Sequence, residues 1–106
     1  MKYVFVCSYG QDRSPSAEYV AEEIAREQEK VIETDCIGLE EENGLDIRKK
    51  LKDSDKVFVM ERRMAWDIKE IYKFESKVIN LDVRDSYGCM DDKLIKILRD
   101  KLKRRI

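Results

Sequence analysis

There is no histidine among the 106 residues of this chain. That removes Ser-His-Asp and Cys-His hydrolases and histidine-ligated metal sites. Any catalysis has to use Cys, Asp, Glu, Lys, Arg, Tyr or Ser. Cysteine is scarce and odd in number, with three residues at positions 7, 36 and 89. Their spacing fits neither a disulfide framework nor a paired-cysteine zinc site, and a reducing cytoplasmic setting suits them. Long apolar runs are missing. Nothing approaches the roughly 18 residues of a membrane span, and "YVFV" behind Met1 and Lys2 is too short for a signal-peptide core. Net charge is missing too, because 22 basic and 23 acidic residues leave -1. The whole molecule therefore has no electrostatic pull toward nucleic acid or an anionic membrane. The basic run "KLKRR" (101–105) is read as a helix end, where its charge complements the dipole.

What remains is 42% hydrophobic residues, enough for the modest core of one domain over residues 1–106. "KYVFVC" (2–7) is β-branched and aromatic and predicts a buried strand. From Ser14 the pattern becomes helical, with Ala17, Val20, Ala21, Ile24 and Ala25 on one face. Ser14 suits the N-cap and Pro15 the first helical position, and the helix should run to about Glu29. "VIETDCIG" (31–38) reads as a second strand and "EEENG" (40–44) as a loop. Leu45, Ile47 and Leu51 mark a short helix, and "KVFVM" (56–60) a third strand. Met64, Ile68, Ile71 and Tyr72 mark another helix. "KVINLDV" (77–83) reads as a fourth strand, "RDSYG" (84–88) as a loop, and Leu94, Ile95, Leu98 and Leu102 line a last helix, with Asp91 and Asp92 at its start.

Strands alternating with helices imply a small doubly wound α/β domain, a four-stranded parallel sheet with helices on both faces. Ligands of such sheets bind beyond the carboxyl ends of the strands. Those ends are Cys7, Gly38, Met60 and Val83. Cys7, the 39–44 loop and the 84–88 loop should therefore share one crevice.

The stretch "CSYGQDRSP" gives that crevice a purpose. Five residues separate Cys7 from Arg13, joining a strand to a helix. Ser8, Tyr9, Gly10, Gln11 and Asp12 can turn their backbone N–H groups inward as an anion nest, and the following helix adds its own free N–H groups and dipole. Arg13 adds a planar fork for two phosphate oxygens. The occupant should be a phosphate-like dianion such as inorganic phosphate, sulfate or vanadate. The same field favours the thiolate of Cys7, and Ser14 can donate its hydroxyl to the sulfur. A thiolate beneath a bound phosphoryl group is a nucleophile aimed at phosphorus, and the loop donors stabilise the equatorial oxygens during displacement. The leaving oxygen needs a proton, and without histidine an aspartate from the crevice has to supply it.

Cys7, Arg13, Ser14, Pro15, Ala17 and Glu18, in the register C-x5-R-S-P-x-A-E after a strand, resemble the low-molecular-weight protein tyrosine phosphatases. A short prokaryotic branch of predicted tyrosine phosphatases is similar also at "VFVMER" (57–62), at "INLDVRDSY" (79–87) and at Met90-Asp91. The resemblance implies a phosphatase P-loop, no metal and no cofactor. It implies a phosphocysteine at Cys7, and a general acid in the segment where that family has Asp-Pro-Tyr. Asp85 corresponds to that acid and Asp82 is its rival. Tyr9 and Tyr87 would flank the pocket mouth. The chain departs from the pattern in three places: Ser86 replaces the proline after the acid, Gly10 stands in place of an asparagine, and Asp12 in place of a second cysteine. An aspartate beside an anion site should point away or bind a donor. The family's substrate is phosphotyrosine protein. A small phosphate ester is the alternative, because the chain is short and "EEE" (40–42) repels acidic substrates.

Simpler readings stand beside these. Cys36 is expected only to pack, and Trp66 to lie in the core or on a helix surface. Cys89 is close to the acid loop and is a candidate resolving thiol. Arsenate reduction would need a cysteine relay, which Cys36 and Cys89 do not offer by spacing. A non-catalytic phosphate-binding module and a cysteine phosphocarrier are the remaining alternatives.

Overall fold

The computed structural model describes residues 1–74 and 76–106. Four parallel strands lie in the order β2-β1-β3-β4, with β1 at Lys2–Cys7, β2 at Glu33–Gly38, β3 at Lys56–Val59 and β4 at Val78–Asn80. Helices α1 (Arg13–Glu27), α2 (Gly44–Lys52), α3 (Arg62–Trp66) and α4 (Asp92–Leu102) alternate with them. A π-helical turn, Asp67–Ile71, continues α3. The chain leaves β1 toward β2 and then crosses back to β3. With right-handed crossovers this reversal puts α1 and α2 on opposite faces. Helix α4 packs beside α1.

Strand β1 has neighbours on both edges, pairing Lys2–Cys7 with Glu33–Gly38 and Tyr3–Val6 with Lys56–Val59. Helices cover both of its faces, so every residue from Tyr3 to Cys7 is buried. This is why it reads as an unbroken apolar run rather than an alternating one. Phe5 stands opposite Phe58, and their rings stack at 5.1 Å between centroids. Tyr3 meets Phe58 edge-on at 5.9 Å. Truncating Phe58 to alanine would cost about 3–5 kcal/mol.

The structure moves several predicted boundaries. Ser14 is not the N-cap. The Asp12 carbonyl already accepts from Ser16 N at 3.2 Å and Ser16 Oγ at 2.7 Å, so Arg13 begins the helix. Residues 31 and 32 precede β2, because pairing with β1 starts at Lys2 and Glu33; Val31 is exposed. The fourth strand is much shorter than 77–83. Asn80 Oδ1 accepts from Asp82 N at 2.9 Å, and Asp82 takes φ +54°. This side-chain turn bends the chain off the sheet edge, so Asp82 does not end a strand. At the last helix Asp91 is the N-cap, accepting from Lys93 N at 2.8 Å. Among the described residues no helix is long and apolar enough to cross a membrane.

Candidate active site

The loops after β1, β3 and β4 meet at the carboxyl edge of the sheet, beside the point where the chain reverses direction. The loop after β1 is shaped by two glycines. Gly10 has φ +69°, a conformation a side chain resists. Gly38, at the end of β2, lies against the loop backbone. A Cβ there would stand 2.5 Å from the Tyr9 carbonyl carbon and 2.8 Å from Gly10 N. Pairing continues past the strand ends, with Leu39 N on Cys7 O at 2.9 Å and Glu40 N on Ser8 O at 2.8 Å. The loop is thus held on its β2 side by main-chain hydrogen bonds.

Cys7 lies at the floor, 3% exposed. Gly10 N donates to its Sγ at 3.1 Å, so one loop amide already points at the sulfur. Ser14 Oγ is fully buried and has no hydrogen-bond partner among the described residues. A buried hydroxyl left unpaired is costly, and one in the first turn of α1, just behind the loop, is a reserve donor. No hydrogen bond joins it to Cys7 in this arrangement.

Arg13 is 2% exposed at its side chain. Its Nη1 donates to Glu61 Oε2 at 2.6 Å and to the Val83 carbonyl at 2.8 Å. Asp85 Oδ1 approaches Nε at 3.9 Å. These partners come from the loops after β3 and β4, and they fix one end of the guanidinium. The Nε–Nη2 edge makes no hydrogen bond to the described residues, which leaves it available for two oxygens of an anion. Burial pushes the Glu61 carboxyl up. The hydrogen bond from Arg13 and the charges of Arg13 and Arg63 outweigh it and hold the group below its ordinary value. Arg63 in turn donates from Nη2 to Ser8 Oγ at 2.7 Å.

A cleft of about 50 Å³ opens over the sulfur, lined by Cys7, Ser8, Tyr9, Gln11, Asp12, Arg13 and Asp85. Of the residues singled out from the sequence, Cys7, Ser8, Tyr9, Gln11, Asp12, Arg13 and Asp85 line this cleft, and Gly10 and Ser14 do not. Asp85 lines this cleft and Asp82 does not. Tyr9 is half exposed on the rim. A hydrogen bond to Glu40, and that carboxylate's charge, push its hydroxyl pKa up. Tyr87 is not on the mouth; it packs against the core. Asp12 lines the cleft and forms no ion pair among the described residues, so of the two outcomes expected, pointing away or binding a donor, a charged donor is not found. Cys36 is half-buried, and burial together with the Glu18 carboxylate pushes its thiol up to about 12. Cys89 is exposed, and its Sγ lies 3.9 Å from Ser16 Oγ. Trp66 lies on a helix surface, 60% exposed.

Glu61 and Arg63 were not singled out as site residues. The rule that ligands bind beyond strand ends covers them, since they follow β3 directly. A second, wider cavity of about 530 Å³ adjoins the cleft and shares Asp85 with it. Its walls are Glu61, Arg62, Arg63, Asp82, Val83, Arg84, Asp85 and Ser86.

The fold is that of the low-molecular-weight protein tyrosine phosphatases. YwlE from Bacillus subtilis, in a mutant form, superposes with TM-score 0.72 at 21% identity, over 99% of this chain and 97% of that one. The YwlE arginine phosphatase as a Cys-to-Ser mutant with a phosphorylated active-site serine gives 0.73 at 19%, over 99% and 95%. A low-molecular-weight phosphotyrosine phosphatase from Vibrio cholerae gives 0.72 at 14%, over 95% and 91%. No protein-family model and no curated protein matches the sequence.

Proposed function

We propose that this chain is a cysteine-dependent phosphomonoester hydrolase. The observation that carries the reading is the buried Arg13 guanidinium, clamped at Nη1 by Glu61 and Val83 O, in one cleft with Cys7; its Nε–Nη2 edge makes no hydrogen bond to the described residues, with Asp85 Oδ1 3.9 Å from Nε. A buried fork with an unbonded edge in a cleft that holds a thiol suits a phosphoryl-sized anion. In the reaction, Cys7 Sγ attacks phosphorus as the bond to the leaving oxygen breaks. Asp85 gives that oxygen a proton. Water then attacks the phosphocysteine, Asp85 takes its proton, and the P–S bond breaks to release inorganic phosphate. Loop amides, the Arg13 edge and the dipole of α1 stabilise the equatorial oxygens. The unpaired Ser14 hydroxyl stabilises the sulfur as it leaves. The phosphorylated serine in the YwlE mutant supports an enzyme-bound phosphoryl group. Asp85 is favoured over Asp82 as the acid because it alone of the two lines the Cys7 cleft.

The arsenate reductase alternative is weakened by Cys36, whose thiol at about 12 is a poor relay thiolate. The test is hydrolysis of para-nitrophenyl phosphate with EDTA present, from about pH 5 to 8. The wild type turns over, Cys7→Ser does not, and Asp85→Asn is slower by about 10²-fold or more, the size of a lost general acid. Vanadate or phosphate binding without turnover would instead leave a binding module. Phosphoarginine belongs in the substrate panel, because one similar structure is an arginine phosphatase.

A further inference from the structure

Resting on that phosphatase reading, we infer that the 530 Å³ cavity beside the Cys7 cleft is the leaving-group pocket, and that it selects small phosphate esters whose leaving group carries a second anionic group, a carboxylate or another phosphate.

The volume is that of a small-molecule site. Its position is set by Asp85, which lines both spaces. An ester whose phosphoryl group fills the Cys7 cleft, and whose leaving oxygen meets Asp85, therefore sends the rest of the molecule into this cavity. No aromatic side chain lines the cavity, and Val83 is its one aliphatic residue. A ring placed there meets guanidinium groups, which can stack on its face, so what separates one leaving group from another is its charge.

The charges favour an anion. Arg62, Arg63 and Arg84 line the cavity. Arg63 is held by Ser8 and Glu61. Arg62 and Arg84 form no ion pair among the described residues. Of the three carboxylates, Glu61 is matched by Arg13, and Asp85 also faces Arg13, with Oδ1 3.9 Å from Nε. That leaves Asp82 against two unpaired guanidinium groups. The carboxylates after β2 are largely matched already: Glu40 lies on the Tyr9 hydroxyl and 3.9 Å from Arg63, and Glu42 pairs with Lys50. An anionic leaving group therefore gains most at Arg62 and Arg84.

The test compares 4-carboxyphenyl phosphate with 4-carbamoylphenyl phosphate, two esters of near-equal size and leaving-group chemistry that differ in one charge. The wild type should prefer the carboxylate by about tenfold in kcat/KM, the sum of two partly screened ion pairs. The preference should shrink as ionic strength rises. Arg62→Gln with Arg84→Gln should bring the ratio to about one; the ratio cancels any loss of turnover common to both esters. Equal turnover of the two esters by the wild type, or a preference that survives in the double variant, overturns the pocket assignment and leaves the phosphatase reading standing. Silence on both esters overturns the phosphatase reading, and the pocket with it.

Discussion

Replacing Glu61 with glutamine separates the charge of the Arg13 clamp from its shape. The Arg13 side chain is 2% exposed and that of Glu61 34%. A hydrogen bond to a charged group contributes about 1.5–3 kcal/mol. Glu61 is one-third open to water, which screens the pair, and glutamine keeps an acceptor oxygen. The expected loss is therefore about 1–2 kcal/mol at pH 7, or a fall in Tm of roughly 5–10 °C for a domain of this size. The pH dependence distinguishes this from a packing defect. The Glu61 carboxyl is held below its ordinary value of 4.5 in the folded protein. A depressed carboxylate contributes fully above the unfolded value, and the contribution is lost as pH falls through the folded value. The gap in Tm between wild type and Glu61→Gln should thus be constant above about pH 5 and shrink as pH falls below the ordinary value through the lowered folded one. Activity should fall as well, because a guanidinium free to turn loses its two-oxygen grip; about ten- to a hundredfold in kcat/KM for an aryl phosphate is reasonable for a misplaced group. Circular-dichroism melts at several pH values provide the measurement. Equal melting temperatures at pH 7, or a gap that persists unchanged at pH 3, would refute the argument that a buried ion pair sets the clamp.

Other outcomes follow from the same geometry. Gly38→Ala places a methyl group against the Tyr9 carbonyl, so the loop has to shift; turnover should drop by at least about tenfold, more than the change in stability accounts for. Asp12→Asn removes a carboxylate from the cleft lining and should lower the inhibition constant of phosphate severalfold, an effect that a competitive-inhibition assay reads directly. Glu18 is raised above its ordinary value, chiefly by burial with help from Asp35 and Glu22, against hydrogen bonds that lower it. A raised carboxyl weakens the fold above its folded value and not below its unfolded one, so Glu18→Gln should stabilise the protein at pH 7 and leave it unchanged near pH 3. Iodoacetamide at about pH 8 should modify exposed Cys89 well ahead of Cys36, whose thiol stays protonated; mass mapping of the two adducts checks the order.

Local patterns carried the strands and helices far because each element's period is written along its own residues. The β1 run, the α1 face and the α4 face needed no tertiary information. Boundaries were weaker where a partner decides them. β4 is three residues long because it is an edge strand bent away by the Asn80 side chain. Val31 has β propensity but lies before the first residue that pairs with β1. Tyr87 sits in the right segment of chain, yet the turn it occupies packs its ring on the core rather than on the cleft.

The C-x5-R spacing is a property of one short loop, and the linear order of residues sufficed to propose Cys7 and Arg13 as parts of an anion site. A strand, a tight loop and a helix start follow one another there, and their dipoles and donors converge without help from elsewhere. The grip on Arg13 is different in kind. Its partners Glu61 and Val83 lie 48 and 70 positions away along the chain, and no periodicity links such distances. They meet because β1, β3 and β4 lie side by side and end at one edge. The same packing explains why Gly38 has to be glycine, and it gathers Glu61, Arg63, Arg84 and Asp85 beside the Cys7 loop. Local sequence thus specifies the loop proposed to hold a phosphoryl group, while the sheet order that gathers distant loops decides what surrounds it.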